Sequence, residues 1–235
     1  MLFRSEYSLV ISQWLESYNR KVINGSNSIA IELNKVKQFL ELEKHGLKSP
    51  KIYIASGKEE IIEVAEKRFF SKGERCIIKD NRSGSGIGVK LVNNSNELSE
   101  YLKSDSYSRA IDGITLVQQF IESPEPYVTR MEYVNGKLLY ALRVNTSEGF
   151  NVCPADKCNI GSRNDRFKLI KKEDFPYPEM LNKYMELQKK NGILVCGIEF
   201  IEDKDGNKWT YDINCNTNYN LLAEKKGGIP HYGNL

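Results

Sequence analysis

Long hydrophobic runs are missing from these 235 residues: no window approaches the roughly 18 consecutive apolar positions that a membrane-crossing helix needs. Residues 1–19 carry Arg4, Glu6 and Glu16, so they also lack the basic start, apolar block and small-residue cleavage site of a secretory leader. Both absences predict a cytoplasmic protein with no membrane partner. Cysteine is scarce, five in all and widely scattered, an odd number that reads as reduced thiols rather than a disulfide framework. A strong charge of one sign is missing too. The net charge is +3, and the pairs Lys171-Lys172, Lys189-Lys190 and Lys225-Lys226 stand apart without a basic stripe or interleaved aromatics, which argues against nucleic acid as a ligand. Internal repeats and low-complexity segments are absent as well.

What is there is an ordinary globular composition, 40% hydrophobic and 28% charged, long enough to bury a core in one compact unit or two small lobes. Helical spacing appears over Tyr7 to Tyr18, followed by a short strand-like stretch from Arg20 to Asn24. A second helix is expected from about Ser28 to His45, burying Ile29, Val36, Phe39, Leu40 and Leu42, with Gly46 as a left-handed cap. Lys51 to Ile54 reads as a strand, Lys58 to Phe70 as a helix, Arg75 to Lys79 and Gly88 to Val92 as strands, and Asn96 to Ser104 as a helix. Long β runs follow at Thr115 to Ile121, Val128 to Val134 and Lys137 to Val144, the last two joined by the hairpin signal Asn135-Gly136. Residues 145–174 look irregular, Glu179 to Asn191 helical, and Leu194 to Glu202 with Lys208 to Asn214 form a final hairpin. The class is α+β, with a short N-terminal piece over residues 1–24, a first lobe over 25–116 and a second lobe with an antiparallel sheet over 117–235.

Chemistry concentrates in two places. On the final hairpin, period-two alternation puts Glu199 in an otherwise apolar strand and Asp212 nearly opposite it. Carboxylates about 5 Å apart at their Cβ atoms repel unless a cation lies between them. Magnesium fits such a set, with Asn214 adding a neutral oxygen, whereas zinc would want His and Cys ligands. The bland alternative stays open at this point: Glu199 paired with a lysine, and Asp212 merely starting a polar loop. The second place is Cys76-Ile77-Ile78-Lys79, an apolar strand ending in a lysine and running into Ser83-Gly84-Ser85-Gly86-Ile87-Gly88. Such a loop lets consecutive backbone N–H groups converge on phosphate oxygens, with Lys79 as a point charge, though a plain hairpin tip would look similar. No Gly-Lys-Ser/Thr follows, so it is not a Walker A loop, and a strand rather than a helix comes next, so it is not a Rossmann fingerprint.

Taken in order, these pieces resemble the ATP-grasp enzymes, in particular their ribosomal-protein-S6 glutamate-ligase and glutathione-synthetase-like branch. The family's helix that begins with a lysine and ends before a proline corresponds to Lys35-Val36 through His45-Gly46-Leu47-Lys48-Ser49-Pro50. Its "vvKp" strand corresponds to Ile77-Ile78-Lys79 and its glycine loop to Gly84 through Val89. Its hinge corresponds to Val117-Gln118-Gln119-Phe120-Ile121, its arginine strand to Thr129-Arg130, and its metal hairpin to Gly197-Ile198-Glu199 with Asp212-Ile213-Asn214. The resemblance implies an ATP-grasp fold, two α+β lobes with the nucleotide between them, using ATP and Mg2+.

By that resemblance, Lys35 and Lys79 contact the phosphates, and Ser83, Gly84, Ser85, Gly86 and Gly88 close over them. Gln119, Phe120 and Ile121 hold the adenine. Glu199, Asp212 and Asn214 hold the metal, and Arg130, with Lys79, serves catalysis at the transferring phosphate. Arg143 and Asn216 are candidates for substrate. The implied reaction joins a small-molecule or peptide carboxylate to an amine through an acyl phosphate; a small-molecule kinase or a nucleotide-binding, non-catalytic subunit are the alternatives. Gln119 departs from the family's usual hinge acid, and Val128 stands where an acid often meets the ribose. Only residues 1–24 precede Gly25, where the family carries a whole α/β domain, so either a partner subunit or homo-oligomer takes its place or the active site is a minimal one, and both alternatives stay open. Cys153 and Cys158 fall in a segment unlike the family's acceptor region and read as reduced thiols of a loop.

Overall fold

The computed structural model describes residues 6–84, 88–147, 167–217, 224, 225 and 228. Two antiparallel sheets carry the architecture. The first has strand order β1-β4-β2-β3, from β1 Ile52–Ala55, β2 Cys76–Asp80, β3 Lys90–Val92 and β4 Thr115–Gln119. The second has order β7-β6-β5-β8-β9, from β5 Tyr127–Val134, β6 Lys137–Asn145, β7 Phe167–Lys171, β8 Val195–Glu202 and β9 Lys208–Asn214. The expected division at residue 116 falls inside β4, all five residues of which pair in the first sheet.

Each sheet buries one face and turns the other toward the same space. In the first sheet Ala55, Cys76, Ile78 and Val117 pack under helices α4 Lys58–Arg68 and α5 Ser95–Lys103, against Ile61, Ala65, Phe69, Leu98 and Leu102. Strand alternation then sends Ile77, Lys79 and Gln118 to the opposite face. In the second sheet Met131, Tyr133, Ala141, Cys196, Ile198, Phe200 and Ile213 pack on α6 Pro178–Asn191 and on the N-terminal helices. Full burial of each such large side chain contributes about 1.5–3 kcal/mol.

The single helix expected over 28–45 is two, α2 Ser26–Glu32 and α3 Lys35–Lys44. Asn34 breaks it: with extended backbone, its side chain accepts from Lys37 N at 3.0 Å and caps α3. The buried residues of α3 are Lys35, Gln38, Phe39, Glu41 and Leu42, while Leu40 is exposed, contrary to expectation. Of the three polar ones, Lys35 and Gln38 are engaged on β9. Gln38 gives its amide to Ile213, accepting from its N at 3.0 Å and donating to its O at 3.1 Å, so the side chain stands in for a further strand at the sheet edge.

Residues 20–24 form no strand. Asn24 is instead buried side-on against the second sheet, accepting from Leu194 N and Val195 N at 2.9 and 3.0 Å and donating to Val195 O at 2.7 Å and to Cys215 O. The stretch expected to be irregular contains β7, paired to β6. Asn135 and Gly136 turn with φ of 49° and 73°, as the hairpin signal requires, and Gly46 caps α3 at φ 62°. Cys76 and Cys196 are buried free thiols and Cys215 is buried, while Cys153 and Cys158 lie outside the described residues. No helix among the described residues is long and apolar enough to cross a membrane.

Candidate active site

The inward faces of the two sheets enclose a cavity of about 350 Å³. Its apolar part is a slot between Ile77, Val89, Phe120 and Ile121 on one side and Val128 and Ile201 on the other. Its polar end gathers Lys35, Lys79, Ser83, Gly84, Glu199 and Asp212. Eight residues singled out from sequence therefore line one space: these six with Phe120 and Ile121. Gly88 follows the loop at φ 73°, a left-handed conformation that suits glycine. Ser85 and Gly86 lie outside the described residues.

Register brings the two acids together: Glu199 of β8 pairs directly with Asp212 of β9. Just beside them the pairing slips, with Phe200 opposite Thr210, so Tyr211 is an extra residue on β9. The bulge swings Tyr211 to the cavity side, where its hydroxyl donates to Glu199. Simple alternation would put Tyr211 and Asp212 on opposite faces; the bulge puts both at the site.

Each acid has a protein cation against it. Lys35 opens α3, where a positive charge is poorly placed beside the helix N-terminus, and it is buried; Asp212 compensates at 2.6 Å from its Nζ. The first N–H groups of α3 are held by Asn81, whose carbonyl accepts from Lys35 N at 3.2 Å and whose Oδ1 accepts from Val36 N at 3.1 Å. Asn81 lies between Lys79 and the glycine loop, so one residue fixes Lys35 relative to both.

Arg130 sits behind Glu199 rather than on the cavity wall. Its Nη1 donates to Glu199 at 2.6 Å, its Nε to the fully buried Glu132 at 2.6 Å, and Nη2 to Thr217, which in turn donates to Glu132 at 2.7 Å. Gly197, opposite Glu132, makes the room: a Cβ there would lie 2.7 Å from Arg130 Nη2 and 2.8 Å from Thr217 Oγ1. Burial works against the guanidinium charge, yet the two carboxylates hold Arg130 above its ordinary pKa. Burial raises Glu199 above the usual carboxylate range; Arg130 pulls it back, and the charge of Asp212 pushes it up further.

Lys79, also buried, has no carboxylate within ion-pair distance among the described residues; its Nζ lies 5.4 Å from the Phe39 ring centroid. Burial first, and then the neighbouring Lys35 charge, push its ammonium down to about 7, against a smaller upward pull from Asp212 and Glu199. The cavity thus holds a cation whose charge is marginal until an anion arrives.

The remaining expectations fall elsewhere. Gln119 turns away from the cavity, its Oε1 accepting from Lys51 N at 3.2 Å; Gln118, one position earlier, lines the slot, with a buried Oε1 that has no partner. Asn214 is buried behind Asp212, donating to its Oδ2 at 3.1 Å. Arg143 pairs across β5 with Thr129 on the other face of the sheet, stacks over Tyr127 and is bound to Glu125 at 2.8 Å, so it lines a separate cavity of about 400 Å³. Asn216 is exposed in the bend after β9.

Whether these residues suit the groups implied by the resemblance is a matter of donor chemistry. No group of three or more His, Cys, Asp or Glu side chains that could hold a metal occurs among the described residues. Two adjacent carboxylates beside a buried lysine are, however, the sparse oxygen set magnesium takes when phosphates and water complete its shell. The slot fits a flat base, and Gln118, whose buried Oε1 has no partner in the protein, is among its lining residues.

Comparison with known proteins adds independent support. The sequence is 27% identical over 119 residues to the alpha-aminoadipate–LysW ligase LysX of Sulfurisphaera tokodaii, a match covering 50% of this chain and 40% of that protein. The chain thus spans less than half the length of that curated relative. The fold matches the RimK domain ATP-grasp protein of Sphaerobacter thermophilus with a TM-score of 0.66 at 14% identity, covering 94% of this chain and 73% of that one. It also matches the ATP-grasp ligase PsnB, solved with a phosphomimetic variant of its minimal precursor, Mg and ADP, with a TM-score of 0.64 at 20% identity over 97% and 65% of the two chains. A family model described as the RimK-like ATP-grasp domain matches residues 32–230, most of the chain, and with two antiparallel sheets facing one nucleotide-sized cavity the conclusion is direct: this protein belongs to the RimK-like ATP-grasp family.

Proposed function

We propose that the chain is an ATP- and Mg2+-dependent carboxylate–amine ligase that forms an amide or peptide bond through an acyl phosphate. The observation that carries the reading is the convergence of Lys35, Lys79, the loop root Ser83-Gly84 and the Glu199/Asp212 pair at one end of an apolar slot. The relatives that are ligases, LysX and PsnB among them, support the reaction class.

Each part has a role. The slot walls Ile77, Phe120, Ile121 and Val128 take the adenine face, and Gln118 Oε1 accepts from its exocyclic amino group. Lys79 gains full charge as phosphate approaches, and Lys35 is shared between Asp212 and the phosphates. Glu199 and Asp212, oriented by Arg130 and Lys35, supply the metal's protein ligands; the metal, when bound, neutralises the charge of the transferring phosphate. The reaction then needs positioning and electrostatics rather than a protein nucleophile. A substrate carboxylate oxygen attacks the γ-phosphorus as the bond to the β-phosphate oxygen breaks and ADP leaves. An amine nitrogen next attacks the acyl carbon, the C–O bond to phosphate breaks, and the amine gives up a proton. Arg130, enclosed by Glu132, Glu199 and Thr217, acts here by orienting Glu199 rather than by touching phosphate.

ADP release screened across amino acids and peptides, with and without hydroxylamine, tests this. The expected result is substrate-dependent ADP release with hydroxamate formed when hydroxylamine replaces the amine. A stable phosphorylated product would instead identify a kinase, and nucleotide binding with no ADP release would identify a non-catalytic subunit.

A further inference from the structure

Three protein donors already hold the Glu199/Asp212 pair. Asp212 Oδ1 accepts from Lys35 Nζ at 2.6 Å and its Oδ2 from Asn214 Nδ2 at 3.1 Å, while Glu199 Oε1 accepts from Arg130 Nη1 at 2.6 Å. These donors differ in their freedom to leave. Arg130 is clamped on its far side by Glu132 and Thr217, and Asn214 is a neutral neighbour on the same strand. Lys35 has Asp212 as its one salt-bridge partner among the described residues. Its backbone is fixed by Asn81, but its ammonium rides on a flexible four-carbon stem. Arg82, next to the loop root, is taken up by Glu6 at the start of α1 Glu6–Ser17, so the ammonium groups at the polar end of the cavity are those of Lys35 and Lys79.

A divalent cation and the Lys35 ammonium compete for the same oxygen. A metal that takes Asp212 through Oδ1 displaces Lys35, whose side chain is only 7% exposed, and strands its charge beside that of Lys79. A buried charge left without a partner is strongly unfavourable. A triphosphate removes the penalty, because its oxygens receive Lys35 and Lys79 while the metal receives Asp212. We propose that Lys35 is a specificity-determining counter-ion that closes Asp212 to free divalent metal and yields it to a metal–nucleotide complex. The proposal rests on the metal and nucleotide reading given above and adds that the two ligands are coupled through one displaceable ammonium. Such coupling is reciprocal: nucleotide strengthens metal binding by the factor by which metal strengthens nucleotide binding.

Manganese, which suits the same oxygen ligands as magnesium, is the probe. MnCl2 is titrated into the full chain alone and into the full chain saturated with ADP, and binding is read from the loss of the free-ion electron paramagnetic resonance signal. The wild type is expected to bind Mn2+ in the presence of ADP and about tenfold or more weakly without it. Lys35→Met is expected to bind Mn2+ without nucleotide about tenfold more tightly than the wild type while binding ADP more weakly. Adding Asp212→Asn to that variant should remove the gained site, with circular dichroism confirming each fold. A lysine that serves phosphate alone would leave the nucleotide-free Mn2+ affinity of Lys35→Met at the wild-type level, and that result would overturn the proposal, as would a gained site that survives Asp212→Asn. A wild type that binds Mn2+ equally well with and without ADP would overturn it with no variant needed, and leave the ligase reading standing. Mn2+ binding in neither condition would overturn the metal reading itself and this proposal with it.

Discussion

The two walls of the cavity are built on opposite principles. The wall from the first sheet buries little charge, with Ile77, Phe120 and Gln118 around the ammonium of Lys79 and the more exposed Arg75–Glu122 pair beside Phe120. The wall from the second sheet buries a chain of charges, Glu132–Arg130–Glu199 beside Asp212–Lys35, in which every carboxylate has a cation within 2.6 Å. One wall recognises by shape and leaves its polar atoms to be satisfied by a ligand. The other is held in place by its own ions, because a buried charge is tolerable only when paired and hydrogen-bonded. The difference teaches that the fold leaves Gln118 Oε1 and Lys79 Nζ incomplete, while a fully bonded group such as Arg130 is suited to orienting its neighbour.

The largest effect should come from breaking the ionic wall. Glu132→Ala leaves Arg130 with one buried partner fewer and is expected to cost about 3–5 kcal/mol of stability, measurable by urea unfolding. A cost below about 1 kcal/mol, the level of an exposed ion pair, would mean that the buried chain does not act as one unit. A smaller change is expected on the recognition wall. Gln118→Leu removes one acceptor at similar volume and should raise the KM for ATP about tenfold, roughly 1.4 kcal/mol, with little change in stability, since the lost group had no partner in the protein. Equal loss for ATP and for a purine triphosphate without the exocyclic amine would remove Gln118 from base recognition.

The smallest effect concerns Lys79 and has a definite sign. With its ammonium pulled down to about 7, Lys79 is charged below that pH and neutral above it. Anion binding beside it then requires proton uptake only on the alkaline side. Nucleotide affinity should be flat below about pH 7 and weaken by less than tenfold per pH unit above it. Lys79→Met should bind more weakly and lose that dependence; an unchanged pH profile would show that Lys79 is not the titrating group.

The contrast between the walls also marks what the sequence could disclose. Alternation plus a short turn was enough to set Glu199 against Asp212, because both are rigid consequences of a two-residue period. Asn135-Gly136 and Gly46 were legible because left-handed backbone selects those residues. The bulge at Tyr211 was not, since one inserted residue leaves no compositional mark while flipping which face it serves. Gln118 and Gln119 are chemically identical, and only pairing of Gln118 with Ile77 decides which one faces the slot. Two of the buried polar residues of α3, Lys35 and Gln38, hid from a search for apolar periodicity because their partners lie about 175 residues away on β9. Arg130 was found as an important residue, but its role depended on Glu132, Gly197 and Thr217, which no local pattern joins to it.

The central claim is that Glu199 and Asp212 complete a site for magnesium and triphosphate between the two walls. Calorimetric titration of ATP into the wild type and into Asp212→Asn, each with and without Mg2+, tests it most directly. The account predicts that Mg2+ strengthens ATP binding to the wild type at least tenfold, about 1.4 kcal/mol, and that Asp212→Asn abolishes most of that gain while keeping the fold. Magnesium-independent binding, or an Asp212→Asn variant that responds to Mg2+ as the wild type does, would contradict it.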